Sequence, residues 1–311
     1  MISCKDFIPV YSEIFCYLES HYGRQEVDNY WDAIFKVNAN KKSPLLVCLE
    51  QEGGIKGCFT YWNGTLNEEA AHFSMYLNEK RGFFIIDMHR CPSKGRLVDL
   101  QAQIGLKPYP DYCLHCDGYR SACTAVGLEY IYNFQNMDKA GCSILIYDPK
   151  IFDGRVIIDE DTVVMHRNAS DNEYYHPSFH RSLNGGLHYV GSTYGEAGLR
   201  EVLTNYVTRV VQPLMGEVTL ASIEKMIQED YAKEKSADLV TTNLTANGLT
   251  VSVAYCPAEK FMRDTQCEVS PWYRYATIGV MEELAKLAGC TFVMDSCDEQ
   301  TGAAAYHFTK N

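Results

Sequence analysis

The alternation of apolar and polar residues divides the first half of the chain into helices followed by strands. Helical spacing of apolar residues predicts helices over 7–22, which Gly23 ends, and over 26–37. The apolar run 44–49 fits either a helix or a strand. Continuous apolar runs predict strands over 81–90 and 141–148, with a helix over 122–130 between them.

The second half shows the same order of elements. Apolar periodicity predicts helices over 177–190, 199–211 and 277–287, and strands over 249–255 and 303–308. Residues 149–170, rich in Asp, Val and Ile, read as a linker. Each half is thus predicted to hold N-terminal helices followed by a small, mainly antiparallel sheet with a packed helix, which is an α+β unit.

Short motifs recur along the chain in the same order. Tyr17-Leu18-Glu19-Ser20-His21-Tyr22-Gly23 returns as Tyr189-Val190-Gly191-Ser192-Thr193-Tyr194-Gly195, at an offset of 172, and Cys91-Pro92 returns as Cys256-Pro257, at an offset of 165. Such drifting offsets are typical of a tandem duplication with small deletions. We expect two similar domains, 1–150 and 171–311, related by a pseudo-two-fold axis like the subunits of a former dimer.

Composition narrows the classes of function. The chain has 311 residues, 46% hydrophobic and 22% charged, with a net charge of -12. This acidity argues against nucleic acid and anionic membranes as partners, because both require a basic surface. No run of 18 apolar residues occurs, and the start resembles no signal peptide.

Thirteen cysteines without an export signal predict a cytoplasmic protein with reduced thiols. No nucleotide-binding signature is evident. The expected partner is a small-molecule substrate, and a homodimer is left open.

The two halves kept different polar residues. The first half carries His89, Cys91 and the segment Asp111-Tyr112-Cys113-Leu114-His115-Cys116-Asp117, whereas the second half keeps only Cys256-Pro257. The second half carries His176, His180 and His188 on its first helix, where a shift by 172 finds Cys4, Ile8 and Cys16. We therefore predict one composite site, in which the helix of the second half meets the loop of the first.

The predicted site residues have distinct roles. The predicted catalytic residues are Cys113, His115, Cys116, His176 and His180. The predicted ligands of a zinc ion or another divalent metal are Cys91, Cys113, Cys116 and His180. The predicted substrate-binding residues are Arg90, Lys94, Arg96, His188 and Asn184, with the basic cluster holding a carboxylate.

Several interpretations of the Cys113-Leu114-His115-Cys116 motif remain open. Two thiolates at this spacing bind a tetrahedral ion, but a structural zinc site needs two such pairs. The same motif before a helix suits a redox pair, because a helix N-terminus lowers a thiol pKa. A single nucleophilic cysteine with a histidine base, or plain half-buried thiols, would also fit. His176 and His180 are four residues apart and share a helix face, with Pro177 expected at the first helical position.

The chain resembles the L-2-amino-thiazoline-4-carboxylic acid hydrolase-like family, as two copies. The residues that carry the resemblance are His176, Phe179, His180, Leu183, Gly186, Tyr194-Gly195-Glu196 and Cys256-Pro257 in the second copy, and Tyr22-Gly23, Cys91-Pro92, Cys113 and Cys142 in the first. The family label implies hydrolysis of a cyclic C–N bond in a small sulfur-containing carboxylate.

We accordingly expect a bacterial-type hydrolase that acts on a C–N bond of a small carboxylated heterocyclic or amide-like compound. The alternatives are a small-molecule or metal-binding sensor without catalysis, and a thiol redox protein using Cys113 and Cys116.

Overall fold

A computed structural model describes residues 1–37, 42–133 and 136–311, and its fold is α+β, as predicted. The helices are α1 Phe7–Tyr22, α2 Arg24–Phe35, α3 Pro44–Glu52, α4 Ile55–Glu68, α5 Pro92–Ile104, α6 Arg120–Ala125, α7 Phe179–Tyr206, α8 Gln212–Met215, α9 Leu220–Lys233, α10 Pro257–Asp264 and α11 Tyr275–Leu287. The strands are β1 His72–Asn78, β2 Phe83–Arg90, β3 Glu129–Asn133, β4 Cys142–Tyr147, β5 Val163–Arg167, β6 Val240–Leu244, β7 Gly248–Val253, β8 Cys290–Cys297 and β9 Ala304–Lys310.

The chain forms two compact units whose boundaries differ from the predicted domains 1–150 and 171–311. Unit 1 comprises 1–21, 100–109 and 175–311, and unit 2 comprises 22–99 and 110–174. Helix α1 belongs to unit 1 because it packs on α7 and its continuation. The ring of Phe7 stacks on Phe179 at 4.9 Å, and Glu13 pairs with Arg209 at 2.7 Å. The chain therefore cannot be divided into two domains at a single position, because α1, from the first half, packs in the core of unit 1 with the second half.

The two sheets share one topology. The order in unit 2 is β3-β4-β2-β1-β5, and the order in unit 1 is β6-β7-β9-β8. Matching β1 to β6, β2 to β7, β3 to β8 and β4 to β9 makes the two orders identical, apart from β5. Both sheets are antiparallel. Strand β5 comes from the predicted linker and has no counterpart in the sheet of unit 1.

Two positions of the repeat also share their backbone conformation. Gly23, between α1 and α2, has φ 84° and ψ 171°, and Gly195, which interrupts α7, has φ 73° and ψ -171°. This left-handed φ favours glycine. Glu69 and Glu234, at an offset of 165, both follow the last residue of a helix, with φ -85° in each case. These matches support the duplication.

Most predicted elements are confirmed, and one is wrong. Helix α1 and strands β2, β4, β7 and β9 lie where the pattern places them, and the run 44–49 is helical. The helix predicted over 122–130 instead ends at Ala125. After a turn at Gly127, with φ 79°, residues 129–133 form β3. The proline-bearing stretch after Cys91 contains α5.

The core of unit 2 covers one face of its sheet. Buried residues of helices α3, α4 and α6 form one apolar cluster there with Phe73, Met75 and Leu77 of β1, and α4 packs directly on β1 and β2. Within the described residues, no helix is both long and apolar enough to cross a bilayer. The opposite face of the same sheet carries polar residues.

Candidate metal centre

Three potential metal ligands meet in the interior of unit 1. Cys4, His180 and Glu234 are all buried, and one donor atom from each lies within 4.8 Å of the other two. Among the described residues, this is the group in which three such donors come so close together. This donor set can hold a metal ion.

Hydrogen bonds fix the orientation of the ligands. The Glu234 carboxylate accepts from the backbone N–H of Cys4 through Oε1, at 2.5 Å. Its Oε2 lies 3.0 Å from Nε2 of His180. On the other side of the imidazole, the hydroxyl of buried Tyr273 lies 3.2 Å from Nδ1. Each nitrogen of His180 therefore has one polar neighbour.

Three elements bring these residues together. Cys4 lies in the turn before α1, where the N–H of Asp6 donates to the carbonyl of Ser3. His180 lies in the first turn of α7, and Glu234 follows the last residue of α9. Lys233 pairs with Asp6 at 2.7 Å and so joins the end of α9 to the turn before α1.

The contact between His180 and Glu234 needs a proton or a metal ion between the two atoms, and the N–H of a neutral imidazole suffices. Burial opposes ionisation of Glu234, but hydrogen bonds from His180 and from Cys4 hold the pKa of this carboxyl below its ordinary value. An ionised carboxylate repels the lone pair of a neutral imidazole nitrogen unless a proton or a metal ion lies between them. A carboxylate at a helix C-terminus also faces the negative end of the helix dipole, so a nearby cation stabilises it.

The Cys4 thiol is protonated without a cation. Burial, reinforced by the charge of Glu234, raises the pKa of this thiol to about 12, and a backbone hydrogen bond with His176 acts in the opposite direction. A thiol of this kind is a poor nucleophile at neutral pH, because the thiolate is the reactive form. As a metal ligand, it would release its proton on binding.

His176 and His180 do not form a pair of ligands. Helix α7 begins at Phe179, after Ser178, and not at Pro177 as predicted. His176 is buried before the helix, and its ring packs on Phe179 at 4.5 Å. The shared helix face is therefore lost, and His176 contacts Cys4 through its backbone.

The predicted Cys/His loop of the first half lies in unit 2. Residues Tyr112–Tyr119 form a 3-10 helix, in which Cys113 and Cys116 are three apart and so share one face. Both are free thiols. Burial raises the pKa of Cys113 to about 11, against a smaller lowering effect of Lys94, and also raises the pKa of Cys116. Neither is an activated nucleophile.

His115 is held by its neighbours. One ring nitrogen, Nδ1, contacts the carbonyl of Tyr112, and Nε2 lies 3.6 Å from the sulfur of Cys116. Burial lowers the pKa of His115 to about 4, despite the backbone hydrogen bond with Tyr112. This imidazole is neutral at physiological pH.

Cys91 and Cys142 lie near the two loop cysteines. Burial raises the pKa of Cys91 and of Cys116, and the neighbouring thiols add to both increases. The N–H of Cys91 donates to the carbonyl of Ala140. These four thiols do not provide three donors within metal-ligand range. The predicted joining of His180 to Cys91, Cys113 and Cys116 stays a prediction, since His180 belongs to the other unit.

The predicted substrate-binding residues have structural partners. Arg90 pairs with Asp99 at 2.6 Å. The backbone N–H of Lys94 donates to the sulfur of Cys91 at 3.4 Å, and Arg96, on the same helix α5, is half-buried. Their role in holding a carboxylate stays a prediction.

Asn184 and His188 bind the segment before α11. Asn184 donates to the carbonyl of Glu268 and accepts from the N–H of Ser270, at 3.0 and 2.8 Å. The exposed His188 lies 3.1 Å from the hydroxyl of Ser270. These contacts anchor the segment to α7, and the role of both side chains in substrate binding stays a prediction.

A cavity of about 730 Å³ lies elsewhere in unit 1. Its walls include Gly216 to Ala221, the turn between β6 and β7, and the end of α11. None of the predicted site residues lines it. This cavity is therefore separate from the Cys4 group.

Sequence reasoning missed two of the three ligands. Cys4 aligns with His176 at the offset of 172. In the comparison of the two copies, Cys4 marks only a position where the first copy lacks a histidine, and its thiol is not predicted as a ligand. Glu234 stands at an offset of 165 from Glu69, the same offset that separates the two Cys-Pro pairs. Comparing helix ends between the two copies would have found this carboxylate.

Comparisons with known proteins identify no relative. No protein-family model matches the chain, and neither do the curated proteins or the solved structures. The resemblance to the L-2-amino-thiazoline-4-carboxylic acid hydrolase-like family thus stays a prediction.

Proposed function

We propose that this protein is a metalloprotein whose unit 1 binds a divalent ion of the zinc class through Cys4, His180 and Glu234. One observation carries the proposal: three buried donors converge, and the carboxylate and imidazole lie 3.0 Å apart, where a proton or a cation must separate them. A free carboxylate in this position is costly to bury.

The chemistry of the donors favours zinc over the hard cations. Calcium and magnesium take oxygen ligands, whereas thiolate, imidazole and carboxylate together are typical of zinc. The Tyr273 hydroxyl supports this role, because it can accept the Nδ1 proton of His180 and so leave the Nε2 lone pair toward Cys4 and Glu234. The Cys4 N–H holds the carboxylate in place.

A second candidate function is hydrolysis of a C–N bond in a small carboxylated heterocyclic or amide-like substrate. Three protein ligands are the number found in catalytic zinc sites, where one coordination position stays open. When bound, the ion would supply Lewis acidity that activates water at neutral pH. In this reading Tyr273 and the Cys4 N–H orient the ligands. A protein that binds the ion but hydrolyses nothing would be a sensor.

Metal analysis of the purified protein tests both candidates. We expect about one zinc per chain at this site, and a thiolate-to-cobalt charge-transfer band after exchange with Co²⁺. Cys4→Ser should remove the band, and Glu234→Gln should weaken binding. Cys267→Ser is the matched control and should keep the band, since this thiol of unit 1 contacts the backbone carbonyl of Glu268 and lies outside the Cys4 group.

The same variants separate catalysis from binding. If 2-aminothiazoline-4-carboxylate is hydrolysed, Cys4→Ser and chelation should both abolish turnover. Metal binding without turnover would leave the sensor role. Wild-type protein that takes up no zinc or cobalt with a thiolate band would refute the metal centre.

A further inference from the structure

The open face of the five-stranded sheet in unit 2 carries a row of polar residues. Phe73, Met75 and Leu77 of β1 point into the core, so Ser74 points to the opposite face. Its cross-strand partners are His166 on β5 and Asp87 on β2. Side chains paired in this way lie side by side on one face of a sheet.

A β-bulge adds a second histidine to this row. His72 pairs with Arg90 and Phe73 pairs with Met88, so His89 is the extra residue on β2. A bulge redirects the side chain of the extra residue and is frequent beside functional sites. Here Nε2 of His89 lies 2.7 Å from the hydroxyl oxygen of Ser74.

Two imidazoles therefore converge on one hydroxyl. Nδ1 of His166 lies 2.7 Å from the same oxygen of Ser74, and the ring of His72 lies 5.0 Å from that of His89. Ser74 itself is 3% exposed. The three histidines and Asp87, in contrast, are all exposed.

The hydroxyl of Ser74 has a single proton for two ring nitrogens. It can donate to only one imidazole, so at least one of the converging nitrogens carries the hydrogen-bonded proton. In a neutral imidazole the other ring nitrogen then presents its lone pair away from Ser74. Imidazole nitrogens and a carboxylate are ligands of zinc, copper and nickel. Because the rings are exposed, they can rotate toward an ion without disturbing the core.

We propose that this face of unit 2 binds a divalent transition-metal ion through His89 and His166, with His72 and Asp87 as further ligands once their exposed side chains rotate toward it. In this structure the donor atoms of the four residues do not lie as close together as those of the Cys4 group. We name these four residues and Ser74 the histidine row. The site contains no thiolate, so it is distinct from the Cys4 centre and does not depend on it. An exposed site of this kind exchanges its ion with solvent.

The copies differ here in a way that supports the inference. At the offset of 165 defined by the Cys-Pro pairs, Ala254 replaces His89 and Ser252 replaces Asp87. His166 lies on β5, which the sheet of unit 1 lacks. The row is therefore not a general property of the duplicated sheet.

Zinc titration of the full chain tests the site. We expect His89→Gln/His166→Gln to lose one zinc equivalent per chain by equilibrium dialysis, while the thiolate-to-cobalt band is unchanged. Ser74→Ala should retain zinc, because it removes the hydrogen-bonded hydroxyl but no ligand. A matched control is His307→Gln in unit 1, where a half-buried imidazole contacts Asp295 at 2.8 Å on the other sheet.

The outcomes are separable. If the double variant binds as much zinc as the wild type, with the same affinity, the histidine row is only a hydrogen-bonded network and the proposal is wrong. Loss of zinc in Ser74→Ala together with unchanged binding in the histidine variant would also overturn it. Absence of the thiolate band would count against the Cys4 centre alone.

Discussion

The Cys4 centre and the histidine row place similar donors in opposite environments. In unit 1 a thiol, an imidazole and a carboxylate are buried, and burial together with the neighbouring charge shifts the pKa of the thiol to about 12. In unit 2 three imidazoles and a carboxylate lie on an open sheet face. A buried site binds an ion at the cost of desolvating charges, whereas an open site avoids that cost and holds its ion less firmly.

The comparison also shows how a duplicated fold diversifies. Both units keep the same strand order and the same Cys-Pro turn, but the polar residues of the two candidate sites lie on different kinds of element. Unit 1 uses the ends of helices α7 and α9, and unit 2 uses the free face of a sheet widened by β5. The shared backbone thus leaves room for two unrelated sites.

The largest expected difference between the two regions is in stability. In metal-free buffer, His180→Leu removes the partner of Oε2 of the buried Glu234, while the Cys4 N–H still donates to Oε1, and it should lower the free energy of unfolding by about 3–5 kcal/mol. His166→Leu on the open face should cost less than about 1 kcal/mol. Urea unfolding measures both. Equal losses would show that the His180 contact is not a buried ionic pair.

A smaller effect concerns pH near the Cys4 centre. Burial, with a contribution from Asp6, raises the pKa of Asp230 to about 7, although Lys233 opposes the rise. The folded state then binds a proton that the unfolded state has released, so stability should fall as pH rises from about 4 to about 7. We expect a slope of up to about 1.4 kcal/mol per pH unit across this range, and a flatter profile for Asp230→Asn. An identical pH profile in the variant would contradict this assignment.

The smallest expected effect is a change in zinc affinity at one site and not at the other. Tyr273→Phe removes the hydroxyl that faces Nδ1 of His180 and should weaken zinc binding at the Cys4 centre by about tenfold. Tyr76→Phe is the matched control, because its ring lies 6.1 Å from that of His166 on the open face. Competition with a chromophoric chelator measures both affinities. A tenfold change in both variants would indicate a general loss of packing.

Periodicity predicted the elements whose apolar faces are regular. Helix α1 and strand β2 follow from their spacing, and the glycine at the end of the repeated Tyr-Gly motif marks the break at Gly23 and at Gly195. The helix over 122–130 failed because Gly127 permits a turn that starts β3. Local spacing cannot distinguish a short helix plus a strand from one longer helix.

The candidate site was harder to predict than the fold. His180 was predicted from the contrast between the copies, and it does lie in a buried cluster. Its partners come from Cys4, which is far away in sequence, and from Glu234, which belongs to no motif. The three ligands come together only because of how α1 and α9 pack on α7. The pattern of apolar and polar residues along the chain does not predict that packing.

Because α1 belongs to unit 1, it is synthesised long before the helix on which it packs. Helix α1 leaves the ribosome first, but its partner α7 starts only at Phe179. Until then the apolar side chains of Phe7, Ile8 and Ile14, which are buried in the finished protein, have no core to enter. Unit 2, which ends at Tyr174, has all its residues before unit 1 does. The growing chain therefore holds the apolar side chains of α1 without their partner α7 while all residues of unit 2 are added, and transiently exposed apolar surface of this kind favours aggregation.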